Sequence, residues 1–180
     1  DVLNIAKKLG FSETNPSSDL NGNDAADKIR ILSSIAFNKK ISKNRILTEG
    51  IQNINEMDIF HARKLGYKIK LLAISEINNG KLIERVHPCL VSKNSYIANI
   101  SGVLNAIIID GDPIGRTVIQ GEGAGPEPTT SALISDLFSL LRGNLKFPFG
   151  ISYKLRKKIN KFDISKHECS SYLRIEVKDQ

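Results

Sequence analysis

Asp24 and Lys28 stand four residues apart at the start of a stretch, roughly Asp24 to Phe37, in which Ala25, Ile29, Leu32 and Ala36 recur at helical spacing. On one helix such a carboxylate and ammonium share a face and can meet. The same face continues as Ile31 and Ile35, so the pair is expected to enter a partly buried region. A lysine removed from water trades its proton more readily, and an adjacent carboxylate holds the ammonium in place. An ordinary surface ion pair at a helix start has the same spacing, and the pattern alone leaves both open.

A second candidate is Gly121-Glu122-Gly123-Ala124-Gly125, followed by Pro126 and Pro128. A glycine-rich loop that opens a helix exposes backbone N–H groups, which attract anions, and permits close approach. It lacks the Gly-Lys-[Ser/Thr] of a Walker loop and the spacing of a GxGxxG dinucleotide loop. Glu122 and Glu127 argue against a bare phosphate cradle, and a plain structural turn fits as well. His61, His87 and His167 have no metal-ligand neighbours at the usual spacing, so no metal site is expected. His61 suits core or surface, and His87, before Pro88, suits packing at a strand end. Cys89 and Cys169 are expected to be unreactive, and no Ser-His-Asp or Cys-His arrangement assembles from the sequence.

These groups need elements to position them. Val2 to Leu9 reads as a helix ending at Gly10, and residues 11–23 as a loop rich in Ser, Asn and Pro. After the helix that carries Lys28, a short helix is expected near Ile46 to Ile51. Another spans about Glu56 to Leu65, with Asn55 as N-cap, Asp58 three residues on, and Gly66 as the stop. Lys68 to Ile77 and Lys81 to Val86 read as strands about Asn79-Gly80, a strong two-residue hairpin signal. Gly102 to Ile109 and Ile114 to Gln120 make a second pair about Asp110-Gly111. Thr129 or Thr130 should cap a helix that runs through Leu141 and stops at Gly143. The stretch to about His167 is poorly patterned, a linker or loosely packed helix. Ser171 to Val177 alternates like the first strand of a further domain. The expected fold is α+β: a mixed, largely antiparallel twisted sheet with helices packed mainly on one face.

With 180 residues and 41% hydrophobic content, the chain can bury one ordinary core. Its +7 formal charge would suit nucleic acid or an anionic ligand. The basic residues are spread out, however, dense only from Lys154 to Lys161, and no nucleic-acid motif accompanies them. No apolar run reaches membrane-spanning length. Two cysteines are too few for a disulfide framework and suit a reducing compartment, with the cytoplasm as default. Because the chain begins with Asp1 inside a helical pattern and ends just after a lone strand pattern, it is expected to be a piece of a longer protein.

Several stretches in register resemble the homoserine dehydrogenase family over roughly residues 5–145. They are Asp19-Leu20-Asn21-Gly22-Asn23-Asp24-Ala25-Ala26-Asp27-Lys28, Ala62 to Ala73, His87-Pro88, Ala98-Asn99 with Gly102 to Ala106, and Gly121 to Gly125 with Pro128 to Ala132 and Asp136. The resemblance implies interconversion of L-aspartate 4-semialdehyde and L-homoserine, on the way to threonine, methionine and isoleucine. The cofactor would be NADP or NAD, held mainly by an N-terminal dinucleotide-binding domain absent from this chain. By the same resemblance Lys28 is the acid–base lysine, Asp24 holds lysine and substrate, and Glu13 and Asp19 are substrate-side acids. Gly121, Gly123 and Ala124 look like the loop facing the cofactor. Residues 1–145 would be the catalytic and dimerisation domain, 146–170 a linker or tail, and 171–180 the truncated start of an ACT-like regulatory domain. A homodimer is implied, with a small-molecule substrate and neither nucleic acid nor membrane as partner. A non-catalytic binding or regulatory module derived from the same domain is the alternative.

Overall fold

The computed structural model describes residues 15–41, 46–144, 150–175 and 177. Glu13 and the expected helix at Val2 to Leu9 lie outside them. The chain divides into two compact units, one of residues 17–92 and 147–180, the other of residues 1–16 and 93–146.

In the first unit α1 (Ser17–Leu20) leads through Gly22 into α2 (Asn23–Ala36). Gly22 takes the left-handed φ of 82°, a turn that glycine makes without steric penalty. β1 (Leu47–Thr48), α3 (Glu56–Lys64), β2 (Tyr67–Asn78) and β3 (Lys81–Ser92) follow. The sheet order is β1-β3-β2, with β2 antiparallel and β1 parallel to the central β3. A central strand is covered on both faces and loses the usual alternation. Leu82, Ile83, Glu84 and Val86 of β3 are accordingly all buried. Ala26 and Ile29 of α2 pack with Ile46 and Val86 as the core, with Ala25, Leu32 and Leu71 beside them.

Helix α3 begins as its sequence requires. The Asn55 side chain accepts from the Asp58 N–H at 3.0 Å, while the Asp58 carboxylate accepts from the Asn55 N–H at 2.9 Å. This reciprocal cap satisfies two of the donors a helix start leaves open. The segment at Ile46 to Ile51 is no helix. Leu47 and Thr48 pair with Arg85 and Val86 as a short strand, because the edge of β3 offers ladder partners there. His87 is not at a strand end either but stands within β3, opposite Leu72.

Residues 150–167 hold only short 3-10 turns, at Tyr153–Leu155 and Ile164–Lys166, yet they are not loosely attached. Lys157 bridges Lys39, and Lys161 bridges Leu82. The buried Arg156 donates to Ser34 Oγ at 2.9 Å. Lys39 and Glu84, with side chains 2% and 1% exposed, form an ion pair at 2.9 Å, and Lys161 lies 3.8 Å from the other carboxylate oxygen. Burial pushes the Lys161 ammonium down from its usual range, with Glu84 opposing. Residues 171–175 and 177 form no strand. Tyr172 and Arg174 instead both donate to the Asp58 carboxylate at the head of α3.

The second unit contains the 3-10 turn Ile97–Asn99, the hairpin β4 (Leu104–Gly111) and β5 (Gly115–Glu122), and α4 (Pro126–Leu141). Gly111 faces Gly115 across the ladder, so the turn is Asp112-Pro113-Ile114, with a cis peptide before the proline, and not Asp110-Gly111. Asp110 belongs to the strand, where Arg116 grips it at 2.7 and 2.8 Å. Helix α4 starts four or five residues earlier than expected. Gly125 is its N-cap and Pro126 its first residue, where the missing N–H has no helical acceptor to satisfy. Thr129 is no cap; its hydroxyl donates to the Gly125 carbonyl at 2.8 Å. The helix ends before Gly143, whose φ is 75°. The whole is an α+β fold with small, largely antiparallel sheets.

Candidate active site

The α1–α2 turn is built on Gly22, whose N–H donates to the Asp19 carbonyl at 3.3 Å and whose carbonyl accepts from Ala26 at 3.0 Å. Asn23 N donates to Asn21 Oδ1 at 3.0 Å, which holds the first turn of α2. From that turn the helix carries Asp24 and Lys28 to one face, where Lys28 Nζ meets Asp24 Oδ2 at 2.7 Å.

The pair forms as the spacing predicts, but its setting differs. The side chains of Lys28 and Asp24 are 66% and 42% exposed. Ile31 and Ile35, expected to lead the pair inward, are 43% and 51% exposed. The inward face of α2 is instead Ala26, Ile29, Ser33 and Ser34. Ser33 and Ser34 are tolerated there because their hydroxyls donate to Ser75 Oγ and to the Lys39 carbonyl, each at 2.5 Å. Within this unit, then, Lys28 is an ammonium at the surface, steered by a carboxylate and able to swing toward a ligand. Asp19, also exposed, lies within α1, the short helix before Gly22. Glu13 lies outside the described residues.

Beside the turn is a cleft of about 380 Å³ lined by Asn21, Asn23, Ile46, Leu47 and Thr48. Its size and mixed lining suit a small polar molecule. Sequence patterns missed the Ile46–Thr48 wall because a two-residue strand has no period.

The glycine-rich loop belongs to the other unit. Gly121 is paired within β5, opposite Asn105. A Cβ added to Gly121 would meet nothing within 4 Å, whereas one on Gly123 would lie 1.6 Å from Asn105 Nδ2. Gly123 is therefore small because the Asn105 amide fills its side, while the side of Gly121 is open. Cys89 Sγ lies 3.4 Å from His87 Nδ1. Burial pushes its thiol up, with Arg85 opposing, so the pair favours a protonated sulfur. Among the described residues no three His, Cys, Asp or Glu side chains cluster so as to hold a metal, and no helix is long and apolar enough to cross a membrane.

The sequence and the α+β fold both have counterparts among known proteins. The homoserine dehydrogenase family model matches residues 1–138, and the chain belongs to that family. It is 42% identical over 145 residues to a homoserine dehydrogenase of Synechocystis, covering 78% of this chain and 34% of that protein. To the homoserine dehydrogenase of Helicobacter pylori it is 37% identical over 180 residues, covering 100% of this chain and 42% of the other. The crystal structure of a homoserine dehydrogenase from Thiobacillus denitrificans superposes with a TM-score of 0.80 at 38% identity, over 90% of this chain and 39% of that one. The chain thus spans less than half the length of these relatives.

Proposed function

We propose that this chain is the substrate-binding and catalytic part of a homoserine dehydrogenase, interconverting L-aspartate 4-semialdehyde and L-homoserine within a longer cytoplasmic protein. The observation that carries this is the Asp24–Lys28 pair at 2.7 Å on the helix whose first residue, Asn23, lines the cleft, in a chain of this family.

As the aldehyde is reduced, negative charge develops on its oxygen. The Lys28 ammonium stabilises that charge and holds at Nζ the proton the new alkoxide takes. In the reverse direction the same amine accepts the hydroxyl proton. Asp24 orients Lys28 through their contact at 2.7 Å. Asp24 and Asp19 would accept from the α-ammonium that substrate and product both carry, and the family resemblance makes Glu13 a further substrate-side acid. NADP or NAD supplies or accepts the hydride when bound. It would be held mainly by a dinucleotide-binding domain outside this chain, with Gly121 and Ala124 bordering it and Gly123 lending backbone alone.

The exposed apolar side chains of the second unit, among them Leu133, Leu137 and Phe138, suit a homodimer contact. Residues 171–180 lead into an ACT-like regulatory domain. In the full-length protein, Lys28→Ala lowers kcat by ~10²–10⁴-fold while cofactor binding is kept, measured by steady-state kinetics and cofactor titration. A folded variant with near wild-type kcat removes Lys28 from the chemistry. This chain by itself shows no dehydrogenase turnover with homoserine and NADP, and ordinary turnover would overturn the division of labour.

A further inference from the structure

Gly50 has no left-handed backbone to explain it, yet it has no room for a side chain. A Cβ there would lie 2.1 Å from the Leu20 carbonyl oxygen, 2.5 Å from Asn21 Cα and 2.7 Å from the Asn21 carbonyl carbon. All three are backbone atoms, so no rotamer change relieves the overlap. Ile51 N donates to that same Leu20 oxygen at 2.9 Å, and Glu49 N donates to Val86 O at 2.8 Å, anchoring the segment to the central strand. From the other side, a Cβ on Gly22 would stand 3.2 Å from both Thr48 Cγ2 and Val86 Cγ1. Thr48 Oγ1 donates to the Ile46 carbonyl at 3.2 Å, which fixes the rotamer that presents this methyl.

We propose that the Gly50 backbone and the Thr48 methyl form a template that sets the α1–α2 turn and thereby positions the Asp24–Lys28 pair. This rests on the catalytic role given to Lys28 above. The Gly22 carbonyl receives the first hydrogen bond of α2, so a displaced turn changes the axis of a stiff helix. Lys28 Nζ moves with it. Gly50 and Thr48 are positioning residues: they act on the reacting atoms through the helix.

The test uses the full-length protein with homoserine as substrate. Gly50→Ala lowers kcat about 10²-fold, the cost of misplacing a reacting group by about 1 Å, while the cofactor KM is kept. Gly80→Ala is the control, since its φ is +72° but a Cβ there meets nothing within 4 Å. It reduces thermal stability and leaves kcat and KM unchanged. Thr48→Ser, which deletes the methyl and keeps the hydroxyl, lowers kcat about tenfold. Thr48→Val, which keeps the methyl, retains a higher kcat than Thr48→Ser. The Thr48 pair decides the matter even where Gly50→Ala does not fold. A Thr48 hydroxyl that contacted substrate would give the opposite order, with Thr48→Val raising the homoserine KM, and would overturn the template. So would a Gly50→Ala or Thr48→Ser protein with wild-type kcat, in which case Lys28 keeps its role. A wild-type protein that fails to turn over homoserine overturns both.

Discussion

The two units of this chain use their apolar residues differently. In the unit of α1–α3 and β1–β3, Ala26, Ile29, Ile46 and Val86 close on one another. The central strand even buries a carboxylate, paired with a lysine that is also buried. In the unit of β4, β5 and α4, the helix buries none of its own side chains, and Leu137 and Phe138 stay 52% and 54% exposed. A hairpin and one helix are too little to bury their own apolar face. The first unit closes a core of its own, whereas the second leaves the apolar side chains of its helix exposed. A substitution should therefore act on stability in one unit and on association in the other.

The largest effect falls on the buried ion pair. Glu84→Gln removes the only carboxylate that Lys39 meets in an ion pair among the described residues and leaves its ammonium buried. Breaking such a pair from one side costs roughly 3–5 kcal/mol, read as a large fall in the denaturation midpoint of this chain. The double replacement Lys39→Met with Glu84→Leu recovers most of the loss, since matched apolar groups replace buried pairs at little cost. A single variant as stable as wild type would mean that the unit is far looser than its burial indicates.

Next is Leu137→Glu on α4. If the exposed face covers a second copy, light scattering shows the dimer converting to monomer, while the unfolding midpoint of the monomer stays where it was. A large fall in monomer stability would place α4 in a core and erase the contrast between the units.

What was legible in the sequence follows the range of the forces. The α3 cap needs only Asn55 and Asp58, and the β2–β3 turn only Asn79-Gly80, so both were readable. The Asp24–Lys28 contact is likewise local. On α2 the stripe of Ala25, Ile29 and Leu32 was readable, but the inward place given to Ile31 and Ile35 was misjudged, because Ser33 and Ser34 look polar until Ser75 and Lys39 supply acceptors from elsewhere in the fold. The turn of the second hairpin was misplaced because Asp110-Gly111 mimics a turn dipeptide, whereas cross-strand pairing sets Asp110 against Arg116. Residues 156–161 looked like linker because the partners of Arg156 and Lys161 lie far back in the chain. The Thr48–Gly50 wall was hidden for the same reason: a contact with a distant backbone leaves no period.

A smaller effect is the acid response of the C-terminal segment. The Asn55 N–H first, then Tyr172 and Arg174, hold the Asp58 carboxyl below its usual range, with desolvation opposing. A carboxyl depressed in the folded state stabilises it above the unfolded pKa, and that stabilisation fades as pH falls through the lowered value. Hydrogen exchange followed from neutral pH into that acid range should show residues 171–175 opening before β2 and β3. Asp58→Asn should open them already at neutral pH, and an unchanged segment would detach the tail from Asp58.

The smallest effect is expected at Asp110. Arg116 holds its carboxyl below the usual range by two hydrogen bonds, reinforced by charge attraction. The sign is the same as for Asp58: the contribution is present above the unfolded carboxylate pKa and is lost as pH drops through the lowered one. The setting is different. Both side chains are more than half exposed, at 59% and 62%, so water and salt screen the pair. Asp58 ties two distant segments together, whereas Asp110 and Arg116 are already neighbours through the ladder of β4 and β5, so their contact adds little order to the chain. Asp110→Asn should leave the unfolding midpoint unchanged at physiological salt, with at most a slight loss at low salt. Faster amide exchange should be confined to residues 110–116. A midpoint shift rivalling that of Glu84→Gln would show that the hairpin carries stability which its exposed surface does not reveal.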